Sequence, residues 1–122
     1  MSFISVACGG AIGAMCRYAM SLMPIKTYFP LITLMTNVLG ALLIGFIVGI
    51  VSNRNDISKN AELFWKTGLC GGFTTFSTFS LETLTLLEDK SYVAGGSYIV
   101  LSIICCLIGL ACGRELALII QG

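Results

Sequence analysis

Gly71–Phe79 reads Gly-Gly-Phe-Thr-Thr-Phe-Ser-Thr-Phe, a glycine-led, hydroxyl-rich stretch within an otherwise apolar part of the chain. A helix that faces lipid is built mainly from aliphatic side chains, because each unpaired polar group in hydrocarbon costs several kcal/mol. Irregular, polar backbone persists at membrane depth only where it is buried in protein or lines a pathway. The stretch therefore predicts a functional site rather than a lipid-facing helix.

The composition is that of an integral membrane protein. Of the 122 residues, 57% are hydrophobic and only 11% are charged, whereas soluble domains have about 25% charged residues. The net charge of +1 gives no reason to expect a nucleic-acid partner. The chain has no His and no clustered carboxylates for acid–base work, so we do not expect an enzyme.

The cysteines have no metal-ligand spacing, and all of them lie in apolar stretches. Cysteine behaves as a small hydrophobic side chain in such surroundings. We therefore predict structural roles for Cys8, Cys16, Cys70, Cys105, Cys106 and Cys112.

Four segments are candidates to cross a bilayer, which requires about 20 apolar residues. Two are free of charge, and the first continues past Arg17, which can snorkel or face protein. The segment between Lys66 and Glu82 is short, and it crosses only if these charges lie near its ends or if it is broken in the middle. We predict one all-α domain, residues 1–122, with helices at 3–23, 30–52, 62–88 and 91–120, the third interrupted near 71–76.

The basic residues are distributed almost evenly between the two sides of such a four-helix chain. The side of the termini has Arg54, Lys59, Lys66 and Arg114, and the other side has Arg17, Lys26 and Lys90. The positive-inside bias that sets orientation is therefore weak. From charge alone, a single topology and insertion in both orientations remain equally open.

Small residues recur at a four-residue spacing in three helices, which allows helix backbones to approach closely. The faces are Gly9, Gly13 and Arg17, then Asn37, Ala41, Gly45 and Gly49, then Gly109 and Gly113. Because four helices do not easily enclose a pathway, these faces suggest self-association. Glycine is also common in membrane helices generally.

Several polar and aromatic residues are candidates for a pathway. Asn37 lies in an uncharged span, where an interhelical hydrogen bond is the alternative role. Tyr98 and Ser102 share a helix face that continues to Cys106. Phe76 and Phe79 could be core, but their electropositive ring edges could also meet an anion, with hydroxyls nearby from Thr75, Ser77, Thr78 and Ser80.

Three motifs resemble those of the Fluc fluoride channels, also called the CrcB family. They are the Gly9–Tyr18 stretch, the Thr33–Asn37 stretch with Gly40 after it, and Gly68–Phe79. The resemblance implies a dual-topology, antiparallel homodimer in the plasma membrane of a prokaryote, which exports fluoride passively through two pores. The broken third helices would cross at the centre of the dimer.

The resemblance also implies roles for individual residues. A structural sodium ion at the dimer interface would be held by the backbone carbonyls of Gly71 and Thr74. Arg17 would lie near the vestibule. On the helix face of Tyr98 and Ser102, relatives usually have a hydroxyl residue at the next position, where this sequence has Cys106. The fluoride pathway would include Asn37, Thr75, Phe76, Ser77, Phe79, Tyr98 and Ser102.

The main alternative is a small multidrug-type exporter, which also has four helices and dual topology. Proton-coupled exchange would need a carboxylate buried in the membrane. In this sequence the acidic residues Glu62, Glu82, Glu88, Asp89 and Glu115 are expected at or beyond the segment ends, which disfavours the exporter. A purely structural subunit of a larger complex would leave the Thr/Ser/Phe stretch unexplained.

Overall fold

The computed structural model describes residues 1–25, 27 and 29–121, so Lys26 of the charge comparison lies outside the described residues. This part of the chain is helical, without strands. The helices are α1 (Ser2–Ser21), α2 (Leu31–Ser52), α3 (Lys59–Glu62), α4 (Gly71–Phe73), α5 (Ser77–Glu88) and α6 (Tyr92–Gln121), and a π-helical segment (Leu63–Cys70) connects α3 to α4.

Three of the described helices are long and apolar enough to cross a membrane: α1, α2 and α6. Helix α2 follows Pro30, whose ring fixes φ near the helical value, and it contains no charged residue. The segments from α3 to α5 are individually too short to cross. The protein is therefore a multi-pass membrane protein. Between its second and last spans the chain forms several short helical segments, from α3 to α5.

These segments begin three residues before the position that the sequence predicts. The Ser58 side chain accepts a hydrogen bond from the Ala61 N–H at 3.1 Å, so it caps α3, which starts at Lys59. A Ser at this position satisfies one of the unpaired amides at a helix start. Glu62 at the end of α3 and Lys66 in the π-helical segment thus lie one turn apart, with their charged groups 3.3 Å from each other.

The loop between α2 and α3 contains a close ion pair. The Arg54 guanidinium donates to both carboxylate oxygens of Asp56, at 3.0 and 2.8 Å. The hydrogen bond from Arg54 is the main reason that the pKa of Asp56 lies below its usual value. The turn between α5 and α6 is tight, and Lys90 adopts a positive φ of 63° there.

The helices associate as two principal pairs: α2 lies along α6, and α1 packs on residues 59–73. The predicted small-residue faces make these close contacts within one chain. A Cβ at Gly13 would clash with the Leu69 carbonyl, and a Cβ at Gly113 would clash with the Leu42 carbonyl. These glycines permit the backbone approach that packing in lipid requires, so the inference that they mark a face for a partner was wrong for Gly9, Gly13, Gly45, Gly49, Gly109 and Gly113.

Candidate functional site

Helical geometry stops within the hydroxyl-rich stretch. Helix α4 ends at Phe73, and Thr74 is extended, with φ −84° and ψ 160°. Helix α5 resumes at Ser77, after Phe76, whose side chain makes no capping hydrogen bond. Residues 74–76 therefore lie outside regular helix, and their backbone groups must find other partners.

Asn37 of α2 supplies two of those partners. Its Nδ2 donates to the Thr75 carbonyl at 3.0 Å, and its Oδ1 accepts from the Thr75 N–H at 2.8 Å. The primary amide thus pairs with one residue's backbone as a neighbouring strand would. This is the interhelical hydrogen bond that the sequence left open for Asn37, and it fixes the side chain beside the nonhelical residues.

The same arrangement removes helical donors from two carbonyls. In an α-helix the carbonyl of residue i accepts from the N–H of residue i+4. The Thr75 N–H donates to Asn37 instead of to Gly71, and the Thr78 N–H donates to the Thr75 Oγ1 at 3.1 Å instead of to Thr74. The carbonyl oxygens of Gly71 and Thr74 therefore lack these helical donors.

Arg17 contacts the carbonyl between these two. Arg17 is in α1, and its Nε donates to the carbonyl of Gly72 in α4 at 3.1 Å. The charge of Arg17 is thereby held beside the nonhelical residues, although it lies in an apolar helix. Arg17 lines a cavity of about 260 Å³ with Tyr18, Thr33, Thr36, Thr75 and Thr78, among others.

Three aromatic rings follow one another from the nonhelical residues into the bundle. The Phe76 and Phe79 centroids are 5.5 Å apart, and the Phe79 and Tyr98 centroids are 5.0 Å apart. Phe76 is 78% exposed, whereas Tyr98 is fully buried. The two phenylalanines are therefore not equivalent: Phe79 packs against the bundle, and Phe76 extends away from it.

Tyr98 is bound to a carboxylate that the sequence analysis did not select. The Tyr98 hydroxyl donates to the Glu82 Oε1 at 2.9 Å, and the Thr33 hydroxyl donates to the other oxygen of Glu82, Oε2, at 3.0 Å. Glu82 lies in the middle of α5, and its partner Thr33 lies near the start of α2, so the expectation that Glu82 is near the end of a membrane segment stays a prediction. A useful sequence signal was the single Glu inside the hydroxyl-rich run from Ser77 to Thr85.

Ser102 lies one turn after Tyr98 on the same face of α6. It is only 7% exposed, and its hydroxyl has no hydrogen-bond partner among the described residues. Buried hydroxyls are nearly always paired. Ser102 therefore marks a place where a partner outside this chain, such as water or a ligand, is expected.

Most of the predicted site residues line one open groove of about 610 Å³ between α2, the residues before α5, and α6. Tyr98 is buried behind it, and Ser77 lies outside its lining, 3.4 Å from the Thr75 hydroxyl. Arg17 faces the smaller cavity, and Thr75 borders both spaces. The groove is lined by Asn37, Gly71, Thr74, Thr75, Phe76, Phe79, Ser102 and Cys106, together with apolar residues, Thr67 and Lys66.

These features define a multi-pass helical membrane protein with polar, nonhelical backbone open to a groove, the arrangement that ion-conducting proteins use at membrane depth. The chain belongs to the CrcB family: the family model described as "CrcB-like protein, Camphor Resistance (CrcB)" matches residues 4–114. The family expected from the three sequence motifs is thus confirmed.

Curated relatives of similar length carry one name. The chain is 43% identical over 118 residues to "Fluoride-specific ion channel FluC" of Clostridium perfringens, covering 94% of this chain and 92% of the relative. It is 42% identical over 120 residues to the protein of that name from Ruminiclostridium cellulolyticum, covering 96% and 92%. A relative of the same name from Thermococcus gammatolerans is 42% identical over 94 residues, covering 76% of each chain.

Proposed function

We propose that this protein is a fluoride-specific ion channel, not an enzyme, and that it lets fluoride leave the cell passively across the plasma membrane of a prokaryote. The main support is the polar groove at residues 74–76, in a chain similar over 94% of its length to a protein named for that activity. Fluoride enters cells as the neutral weak acid HF and is trapped as the anion at neutral pH. A passive exit pathway therefore lowers cytoplasmic fluoride.

The proposed pathway uses neutral donors. The groove offers the Asn37 amide, the Thr75 and Ser102 hydroxyls, and the Phe76 and Phe79 rings. Ser77 lies next to Thr75, and Tyr98 is buried behind the groove. Conduction requires binding that replaces water but releases the ion again. Hydroxyls, an amide and electropositive ring edges meet both conditions, because none of them holds fluoride with a full charge.

Arg17 is proposed to act in the vestibule. Its guanidinium borders the smaller cavity, whose lining is otherwise rich in hydroxyls, and its Nε donates to Gly72. A positive charge near a cavity with low-dielectric walls raises the local concentration of anions. Arg17 therefore attracts fluoride to the approach, and the neutral groups conduct it further.

Residues 59–88 are proposed to form one membrane-crossing element that is broken at its centre. Residues 59–73 and α5 lie on either side of the extended Thr74, and neither is among the helices long enough to cross alone. Together they have the length of a span. The broken element exposes backbone polar groups at membrane depth, where they face protein and the groove rather than lipid.

We further propose an antiparallel, dual-topology homodimer in which a second copy covers the groove. Phe76 is 78% exposed, and a Cβ at Gly71 would meet nothing within 4 Å. Polar backbone at this depth cannot remain against lipid, so both features fit a surface that a partner covers. The nearly even distribution of Arg and Lys supports insertion in both orientations.

A structural sodium ion is proposed at the centre of this dimer, held by the carbonyls of Gly71 and Thr74 from both subunits. The fit is good: the N–H groups that would pair with these carbonyls in a helix donate elsewhere, and hard cations take oxygen ligands. When bound, the ion supplies a fixed positive charge between the two subunits. Two carbonyls from one chain are too few ligands, and the two-fold axis doubles them.

The small multidrug-type exporter is the second candidate, and the family membership does not favour it. Reconstitution in liposomes distinguishes the two functions. A channel releases preloaded fluoride rapidly without a proton gradient and retains chloride. Efflux that requires a proton gradient, or chloride efflux as fast as fluoride efflux, would contradict the proposal.

A further inference from the structure

The six cysteines all lie within the described residues, and two of them line the groove: Cys70 and Cys106. Cys8, Cys16 and Cys112 are exposed on other surfaces, and Cys105 is next to Cys106 but outside the groove lining. Cys70 is only 2% exposed, whereas Cys106 is partly exposed. Within one chain, Cys106 is therefore the groove thiol that has exposed surface.

A second, independent feature lies one helical turn away. Ser102 is only 7% exposed, and its hydroxyl has no hydrogen-bond partner among the described residues. Ser102 lines the same groove as Cys106. Residues four apart in a helix are neighbours on one face. The thiol of Cys106 and the free lone pairs of Ser102 thus border one space.

We propose that Cys106 and Ser102 form a site for a soft, thiophilic cation such as Ag⁺, and that its occupation blocks anion flux through the groove. Soft cations select sulfur ligands over oxygen, and the thiolate is the binding form. In the binding step the S–H bond of Cys106 breaks, an S–Ag bond forms, and the proton passes to water. No electron is transferred.

The blocking effect rests on the proposed channel function. Asn37 and Phe79 line the same groove as Cys106. A cation fixed there fills part of the space and holds an anion by a full charge, although conduction requires ions to leave again. Lys66 also lines the groove but is paired with Glu62 at 3.3 Å, so an unpaired cation at Cys106 adds the full charge that makes the pathway a trap.

The test measures fluoride efflux from liposomes with and without silver nitrate, in chloride-free nitrate medium because silver chloride precipitates. We expect Ag⁺ to reduce efflux through the unmodified protein and through the matched control Cys105→Ser to the leak rate of protein-free liposomes. Cys106→Ser and Cys106→Ala should each retain their own Ag⁺-free rate. Comparison of each variant with itself makes changes in its basal rate irrelevant.

Binding is measured separately by alkylation. Ag⁺ should protect Cys106 of the reconstituted protein from N-ethylmaleimide, as detected by mass spectrometry of the peptide. Inhibition that persists in both Cys106 variants, or disappears in Cys70→Ala instead, would overturn the assignment, as would full efflux while Cys106 is protected. Absence of fluoride efflux before Ag⁺ is added would contradict the channel function instead, and the alkylation assay would still test the site.

Discussion

Asn37 and the backbone of Thr75 form a two-point pair, with the amide nitrogen 3.0 Å from the Thr75 carbonyl and the amide oxygen 2.8 Å from the Thr75 nitrogen. One side chain from α2 therefore satisfies both backbone groups of a residue outside regular helix. This pair gives Asn37 a structural role in addition to the proposed contact with fluoride. The first prediction separates the two roles.

Asn37→Asp should lower fluoride efflux about tenfold or more, since repulsion at about 4 Å is about 4 kcal/mol at an effective dielectric near 20. The carboxylate also loses the donor to the Thr75 carbonyl while it keeps the acceptor for the N–H. Liposome efflux at neutral pH measures the effect, and dimer recovery by size-exclusion chromatography controls for folding. The loop variant Asn53→Asp is the matched control, and unchanged efflux in Asn37→Asp would remove Asn37 from the pathway.

Gly71→Val tests the proposed dimer centre. A side chain at Gly71 has open space within the chain, so the variant should fold but lose the dimer and its flux. Gly96 has equally open space, and Gly96→Val should retain the dimer. Gly72→Val should fail to fold, because its Cβ would lie 2.5 Å from the Gly10 carbonyl.

The same experiment includes a test of the carbonyl ligands. Thr74→Ser keeps the backbone carbonyl and the hydroxyl, which donates to the Cys70 carbonyl at 2.9 Å, so its efflux should remain near that of the unmodified protein. A Gly71→Val dimer with normal efflux would count against a packed centre at this position.

Phe76→Ile and Phe79→Ile should both suppress fluoride efflux, because isoleucine keeps apolar volume but removes the electropositive ring edge. Their effects on stability should differ. Phe76 is 78% exposed, so Phe76→Ile should leave the thermal stability of the chain nearly unchanged. Phe79 packs against Tyr98, and its loss should cost about 1 kcal/mol, the order measured for aromatic pairs.

Efflux and thermal unfolding in detergent are measured on the same preparations. Phe3→Ile is the matched control, since Phe3 is 91% exposed and distant in sequence from the groove. A folded Phe76 or Phe79 variant with normal efflux would assign that residue to packing rather than to conduction.

Tyr98→Phe should destabilise the protein by about 1.5–3 kcal/mol, the usual contribution of a hydrogen bond to a charged group. The hydroxyl donates to Glu82 at 2.9 Å, and the ring itself stays in place. In Glu82→Gln the same Tyr98 change should cost less, because the acceptor is then neutral. Additive effects in the double-mutant cycle would show that the two side chains do not interact, and Tyr92→Phe, 64% exposed, is the control.

A single cysteine at Asn55, in a cysteine-free protein, should react with an impermeant maleimide from both faces of the membrane. The weak charge bias predicts both orientations. Lysines added at Asn53, next to the loop, and at Asn60, at the start of α3, should shift the labelling toward one face. Labelling of the original single-cysteine protein from one face only would contradict dual topology.

Composition and pattern were sufficient to identify the class, the family and the apolar spans. The interruption predicted near 71–76 is only partly confirmed, since Gly71–Phe73 is helical and residues 74–76 are not. Hydrophobic length and glycine and hydroxyl content are local properties, and lipid imposes strict requirements on them. The three motifs were specific because each combines small, polar and aromatic residues in a fixed order. Asn37 and Phe76 were selected by the same reasoning, and their roles in the pathway stay predictions.

The tertiary structure decided how these residues are used. It placed the glycine faces in contacts within one chain, linked Asn37 to Thr75, and brought Glu82 between Thr33 and Tyr98. Partners separated by 16 to 49 positions in sequence depend on the relative rotation and depth of packed helices. A single sequence contains each helix's own period but not this geometry, so it determined what the spans are made of, and only their packing determined which polar groups meet.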